Sequence, residues 1–448
     1  MKSRYTNKLI YILLFIVAGF VMYFVIGYYF PKTVGRYPLF VIIVLADLYL
    51  YNAYHKKIWS WKKPVAIIGT FVYWLPALSI LFILIGAIFF PFEHWGKAFK
   101  NYLTGFIFIG FFSKLIPVFF LIISDSIRFY KWLAQKAQNT KKQDGDKISR
   151  GLFLKKIGLI GGGLMFGTLF TGMIKWVYDF KVQKEFIKIK KLPKTFDGLR
   201  ILQFSDLHLG SWIWKNEMDK VVEIINNQNP DLIFFTGDLV NYQTDEAYEF
   251  EDTFKKLNAK FGVFCILGNH DYGDYKRWES EEAKNQNMED IYSFFKRVGW
   301  KLLRNENHII KNGDDKIALI GVENWGSLSR FQKYGDLAEA VKGAENISVK
   351  ILLSHDPSHW ELKVCNFPLT IDLTFAGHTH GGQFGVELRG IKWSPAQYIY
   401  KYWAGLYSGL NTLTKEKQYL YVNRGTGTIG YPGRVGILPE ITLVELVS

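Results

Sequence analysis

The first 175 residues carry five apolar runs, at Leu9–Phe30, Pro38–Tyr54, Pro64–Phe90, Tyr102–Ser124 and Ile157–Ile174. A helix needs about 20 apolar residues to cross a bilayer core. Several such runs in series therefore predict a multi-pass α-helical membrane region. The second run is short and holds Asp47, and the fourth holds Lys114; charge at bilayer depth is costly, and a polar contact between helices is the expected use of both. The fifth run is rich in glycine (Gly158, Gly161, Gly162, Gly163, Gly167) and meets no charge before Lys175. A cleaved signal peptide does not fit the first run, because further spans follow and no small-residue cleavage site is evident.

Charge divides the chain in the same place. Residues 1–180 hold 22 Lys+Arg and 6 Asp+Glu, a net of +16; the remaining 33 and 34 leave residues 181–448 at −1, which together give the formal +15. A nucleic-acid-binding surface belongs on the domain that does the chemistry, and that half is nearly neutral, so no nucleic-acid partner is expected. Basic residues between apolar runs instead report topology through the positive-inside rule. Five spans with the N-terminus inside place three basic segments in the cytoplasm: Met1–Lys8, the 55–63 loop and a 125–156 linker with nine Lys+Arg against three Asp. Within that linker the polar 137–148 stretch reads as flexible. The expected organisation is a four-span region over 1–124, the basic cytoplasmic linker 125–156, a fifth transmembrane helix at 157–178 and a domain at 186–448 outside the cytoplasm. Ser149-Arg150-Gly151-Leu152-Phe153-Leu154-Lys155 resembles a twin-arginine export signal in which Gly151 replaces the second arginine. Ordinary basic flanking of a helix explains the same residues.

From Phe186 onward, short β-rich runs alternate with amphipathic stretches, the pattern of a layered α/β domain. Strands are expected at Arg200–Phe204, Asp231–Phe235, Gly262–Leu267, Ile317–Val322, Lys350–Leu353, Leu373–Ala376, Gln418–Val422 and Ile441–Leu446. Polar ligand types follow several of them: Asp206-Leu207-His208, Gly237-Asp238, Gly268-Asn269-His270-Asp271, Ser354-His355-Asp356 and Gly377-His378-Thr379-His380. Five of the nine histidines fall in these motifs, the grouping with carboxylates that metal binding and proton transfer favour. Strand alternation predicts that 206 and 208, and likewise 378 and 380, share a side. Gly237, Gly268 and Gly377 are expected to allow the tight turns that aim each ligand. Cys265 and Cys365 have neither disulfide nor metal-ligand spacing and read as structural. His55, His94, His308 and His359 match no motif and read as structural too.

The five motifs in this order resemble the calcineurin-like metallophosphoesterases, whose pattern is D-x-H, GD, GNH(D/E), H and GHxH. The resemblance covers about 186–448 and implies two β-sheets sandwiched between helices. It implies two divalent ions, with Mn, Fe, Zn and Mg all compatible with nitrogen and oxygen ligands. Asp206, His208, Asp238 and His380 would hold the first; Asp238 would bridge to a second completed by Asn269, His355 and His378. His270 would stabilise charge on the phosphoryl or leaving-group oxygen, with in-line attack of an activated water on phosphorus. Phosphoprotein phosphatases of the superfamily carry G-D-x-x-D-R; Gly237-Asp238-Leu239-Val240-Asn241-Tyr242 lacks the second acid and the arginine, which argues against a phosphoprotein substrate. The Tyr421–Gly427 and Pro439–Ile441 segments resemble the bacterial membrane-associated branch.

These features lead to a membrane-anchored phosphoesterase of the bacterial inner membrane, with the bilayer as partner and a lipid-linked or cell-envelope phosphodiester or pyrophosphate on its outer face as substrate. One alternative is a cytoplasm-facing pyrophosphohydrolase of the UDP-diacylglucosamine type. Another is a membrane sensor or transporter with a regulatory phosphoesterase domain. Arg424, beside Gly425 and Gly427, is a candidate phosphate ligand or part of a glycine turn. Trp212, Trp214, Tyr398, Tyr400, Tyr402, Trp403 and Tyr407 suit either a bilayer-facing rim or core packing.

Overall fold

The computed structural model describes residues 17–29, 34–35, 37–90, 92–137, 147–388 and 390–448, and divides into one unit over Met1–Phe170 and another over Thr171–Ser448. The basic Met1–Lys8 segment, the start of the first apolar run and most of the 137–148 stretch lie outside the described residues.

The first unit is helical: α1 (Val17–Tyr29), α2 (Tyr37–Ile58), α3 (Lys63–Phe89), α4 (Lys97–Ala137) and α5 (Lys147–Ile174). Four helices among the described residues have the length and hydropathy of membrane spans, those of α2 to α5. Only 6% of the apolar window of α3 is buried within the protein, an exposure that suits a lipid surrounding. The charged second run is a full-length helix because its acid is neutralised. Lys114 Nζ lies 2.9 Å from Asp47 Oδ1, the Tyr73 hydroxyl donates to the same oxygen at 2.7 Å, and Lys114 also donates to the Tyr73 carbonyl at 2.8 Å. The expected polar contact between helices is thus an ion pair joining α2, α3 and α4. Glycine spacing in α5 has a packing cause: a Cβ at Gly158 or Gly162 would press on Pro117 of α4 at 3.0 Å. Both described ends of the basic 125–156 segment are helical. Helix α4 continues thirteen residues past Ser124 to Ala137, and α5 begins at Lys147, so the twin-arginine-like residues sit inside a helix.

In the second unit two six-stranded sheets face each other. The first has the order β1 (Lys181–Lys188), β14 (Glu440–Val447), β2 (Arg200–Phe204), β3 (Leu232–Phe235), β4 (Val263–Cys265), β5 (Lys301–Leu302). The second runs β12 (Gly405–Leu410), β13 (Lys417–Val422), β9 (Leu373–Ala376), β8 (Lys350–Leu353), β7 (Asp315–Gly321), β6 (Glu306–Asn312). A separate hairpin pairs β10 (Val386–Leu388) with β11 (Ile391–Trp393).

Alternation along the strands builds three apolar layers. Leu232 and Phe234 of β3 meet Ile351, Leu353, Leu373 and Phe375 between the sheets. Ile233 and Phe235 face the other way, onto α6 (Lys215–Asn227), α7 (Glu251–Phe254) and α8 (Glu281–Arg297) through Met218, Val221, Phe254 and Phe294. Outside the second sheet, Ile320, Leu352 and Leu420 pack on Trp360 and Val364. The expected sandwich is present. Its fringe is larger than expected, since β1, β5, β6 and β12 were not foreseen and the domain's first strand begins at Lys181 rather than 186. Strands β2, β3 and β4 are parallel, as are β8 and β9, so their C-terminal ends gather on one rim.

Candidate metal centre

Every ligand motif leaves the sheet at that rim, and the backbone there is unusual. Asp206, His208, Asp238, His378 and His380 all have positive φ, at 53, 48, 60, 72 and 52°. Left-handed backbone is uncommon for residues with a Cβ and concentrates at functional sites, where surrounding structure holds the strain. It also corrects the alternation argument. Strands β2 and β9 end at Phe204 and Ala376, so the paired ligands do not share a side by strand pleat; successive left-handed turns bring them together. The glycines divide by cause. Gly237 has φ +94° and makes a turn, as expected. Gly268 and Gly377 instead leave room: a Cβ at Gly268 would overlap the Asp238 carboxylate, and one at Gly377 the Ser205 hydroxyl and the Asp206 carboxylate.

Three overlapping groups of ligand atoms form, each within 4.8 Å: Asp206, His208 and His380; His208, Asp238 and His270; Asp238, His355 and His378. Asp238 sits where two of them meet. Its Oδ2 faces His208 Nε2 at 3.5 Å and His355 Nε2 at 3.3 Å, while Oδ1 accepts the His270 backbone N–H at 2.8 Å. His380 Nε2 lies 3.4 Å from Asp206 Oδ1 and 3.0 Å from His208 Nε2. Asn269 Oδ1 is buried with no hydrogen-bond partner, an arrangement that suits a cation and otherwise costs free energy. Six of the seven residues expected as ligands fall in these groups together with His270, and Asn269 adjoins His270 in the chain. His270 was expected outside the ligand set, and its ring belongs to the second group; its Nδ1 is 2.8 Å from the Asn241 carbonyl.

Electrostatics match a cation site. Burial depresses His208 to about 3 and His378 to about 4, and holds His380 well below the usual histidine range. These imidazoles stay neutral, the form that donates a lone pair to a metal. Burial also opposes charge on His355, but the adjacent Asp238 carboxylate prevails and raises it to about 10. Burial, and then the neighbouring Asp238, raise Asp206 to about 6 against the pull of His355. Packing carboxylates this closely is unfavourable without positive charge between them. Apart from His355, whose extra proton a bound cation would have to displace, the donor set of neutral nitrogen and anionic oxygen fits divalent ions.

Several supporting residues escaped the sequence reading. Asp271, noted only as part of its motif, accepts four backbone N–H bonds, from Asp238, Leu239, Val240 and Gly268 at 2.8–3.2 Å, and so fixes the turn that presents Asp238. Asp356 Oδ2 lies 3.5 Å from His378 Nε2, and the Tyr400 hydroxyl is 2.9 Å from the same nitrogen. The Tyr275 hydroxyl accepts from Asn269 at 2.9 Å, and its ring stacks on His270. Arg330, exposed, bears electrostatically on Tyr400 and Tyr275. Arg434, fully buried, donates to the backbone carbonyls of Arg424 and Gly427. None of these lies in a recognisable motif except Asp271 and Asp356.

Arg424, a candidate for phosphate contact or for a glycine turn, is paired with two acids. One terminal nitrogen is bonded to Glu440 and the other to Glu387 at 2.7 Å, so two carboxylates already neutralise it. The aromatic set divides: Trp212 and Trp403 are core, Tyr402 and Tyr407 pack under the second sheet, and Trp214 and Tyr398 are exposed. His359 is buried against Ser354, with Nδ1 2.9 Å from Oγ. Cys265 is fully buried in the helix-facing core.

Comparison with known proteins places this geometry. Residues 199–382 match the model of the calcineurin-like phosphoesterases. Residues 33–176 match a model described as a probable calcineurin-like phosphoesterase transmembrane domain. An uncharacterized metallophosphoesterase of Bacillus subtilis, YkuE, is 32% identical over 311 residues, which cover 67% of this chain and 99% of the relative. A zebrafish (Danio rerio) transmembrane protein with a metallophosphoesterase domain is 27% identical over 61% of this chain and 59% of its own length.

Proposed function

The chain belongs to the calcineurin-like metallophosphoesterases, and we propose that it uses two divalent ions to hydrolyse a phosphodiester or pyrophosphate of a lipid-linked cell-envelope substrate at the outer face of a bacterial inner membrane. It is a membrane-associated metallophosphoesterase. The observation that carries the two-ion reading is the shared carboxylate: Asp238 Oδ2 stands between a histidine of one group and a histidine of the next. Asp206, His208, Asp238 and His380 would hold one ion and Asp238, Asn269, His355 and His378 the other. When bound, such ions supply Lewis acidity and lower the pKa of water.

The chain's own residues supply the rest. His270 Nδ1–H donates a hydrogen bond to the Asn241 carbonyl, which fixes the ring and leaves Nε2 to address the phosphoryl or leaving-group oxygen. Arg330, which bears electrostatically on Tyr400 and Tyr275 beside the site, carries donors suited to a non-bridging phosphate oxygen. The nearly neutral charge of residues 181–448 supports a compact phosphoester over a nucleic acid.

The envelope assignment rests on topology. The four described spans, together with the Leu9–Phe30 run, give five crossings, and the basic 125–156 segment opposes export because each Lys or Arg at bilayer depth costs about 2.5–3.5 kcal/mol. Alkaline phosphatase fused after Ser448 should be active and a fluorescent protein there dark, with the opposite outcome for fusions within 137–148. A cytoplasmic report from Ser448 removes the envelope substrate and favours a lipid-nucleotide hydrolase facing the cytoplasm.

A further inference from the structure

We propose that the β10–β11 hairpin is an interfacial foot that lies on the lipid bilayer beside the metal centre. The inference rests on the membrane-anchored phosphoesterase reading and extends it to how the site meets lipid.

The hairpin reverses the usual distribution of polarity. Its register pairs Val386 with Trp393, Glu387 with Lys392 and Leu388 with Ile391. Directly paired residues share a face, so Val386, Leu388, Ile391 and Trp393 form one face and Glu387 and Lys392 the other. The charged face lies toward the domain but stays partly exposed, with the Glu387 side chain 38% accessible. Glu387 binds Arg424 at 2.7 Å, and Lys392 Nζ bonds the Ala404 carbonyl and lies over the Trp403 ring. The four apolar residues point out, between 37% and 65% exposed. Tyr398 and Ile399, five and six residues beyond Trp393, extend the patch at 77% and 64% exposed. Contiguous exposure of large apolar side chains of this kind marks an interaction site.

Connectivity selects the bilayer as the occupant. Membrane helix α5 ends at Ile174 and β1 begins at Lys181, leaving six residues between them. At about 3.3–3.6 Å per residue, that connection reaches roughly 20 Å when fully extended. The patch also combines aliphatic side chains with Trp393 and Tyr398, the amphipathic rings that favour the headgroup region. The same segment is part of the metal-site wall: His380 precedes it, Ser394 donates to the Gly381 carbonyl at 2.7 Å, and Tyr400 follows on His378. A lipid-borne phosphoester would meet the foot and the ions together.

The full-length protein in nanodiscs tests this, with Cys365→Ser removing the half-buried thiol and Ile391→Cys carrying an environment-sensitive fluorophore. The expected result is a blue-shifted emission that loses intensity to nitroxide-labelled lipid and resists aqueous iodide. Quenching by iodide and not by lipid overturns the proposal, as does a blue shift insensitive to both, which would indicate protein contact with a second copy. Neither reading requires turnover, so the outcome is separate from whether the enzyme assignment holds. A second variant, Leu388→Ser with Ile391→Ser, should retain hydrolysis of a soluble aryl phosphodiester and lose about tenfold on a vesicle-borne phosphoester, equivalent to about 1.4 kcal/mol. Equal rates on vesicles for the variant and the parent overturn it.

Discussion

Replacing Asp271 by Asn tests how the metal centre is held rather than what it binds. The change keeps size and shape. Oδ1 of Asp271 accepts from Leu239 and Val240, and Oδ2 from Asp238 and Gly268. An amide offers one oxygen, so one of the two pairs of buried N–H groups would face an NH2 group that cannot accept. A buried donor left without a partner costs about 1–3 kcal/mol, which gives about 2–6 kcal/mol for two. Burial and the Asp238 charge push Asp271 up to about 7, against the Gly268 and Val240 amides that pull it down. A protonated Asp271 would suffer the same conflict as Asn, so the observed partners are those of a carboxylate. At roughly 2–4 °C per kcal/mol for a domain of this size, the melting midpoint in detergent should fall by about 5–20 °C. Metal affinity should fall about 10–100-fold, because the turn presents Asp238 to the ions. Thermal unfolding and elemental analysis of the purified variant measure both. An Asn variant with parental midpoint and metal content would refute the reasoning.

Three further perturbations probe separate parts of the molecule. His270→Gln should retain metal while turnover falls by about 10²–10⁴-fold; loss of metal with the ring would make His270 a ligand, as its place in the second group allows. Lys114→Met should destabilise the membrane unit by about 3–5 kcal/mol by leaving Asp47 unpaired, and adding Asp47→Asn should restore much of it; unfolding in micelles that ignores the single change would contradict the ion pair. His359 is held neutral by burial, down to about 4 against an ordinary 6.5, so the unfolded chain binds the proton first as pH falls. Stability should therefore drop between pH 6.5 and 4 by up to about 3 kcal/mol, and His359→Asn should flatten that part of the pH profile; an unchanged slope would count against it.

What the sequence made legible follows from the strength of each constraint. The spans showed because lipid requires long uninterrupted apolar runs, and Asp47 obscured one only because its partner stands 67 residues away. Strands β2, β8 and β9 matched their expected bounds because each is a buried, uninterrupted run ending at a ligand motif. β1, with Lys181, Lys184 and Lys188, is mostly exposed and carries too weak an apolar pattern to be seen before its partner β14 is known. At the site, residue types were readable, since few other uses explain clustered histidine and aspartate. The manner of their convergence was not, because left-handed backbone at five non-glycine residues has no sequence signal. Tyr275, Arg330 and Tyr400 come from loops without spacing, and Arg424 resembled an anion ligand until Glu387 and Glu440 were seen beside it. The hairpin was unreadable for a related reason: alternating apolar and charged residues look alike whichever face turns inward.

The most direct measurement is the metal content and phosphodiesterase activity of the full-length parent and Asp238→Asn, purified identically and shown to be folded. If Asp238 bridges two ions, the parent holds two divalent ions per chain, and the variant loses metal and nearly all hydrolysis of an aryl phosphodiester. A folded Asp238→Asn protein that keeps both ions, or more than about a tenth of the activity that such a bridge supports, would contradict the dinuclear account.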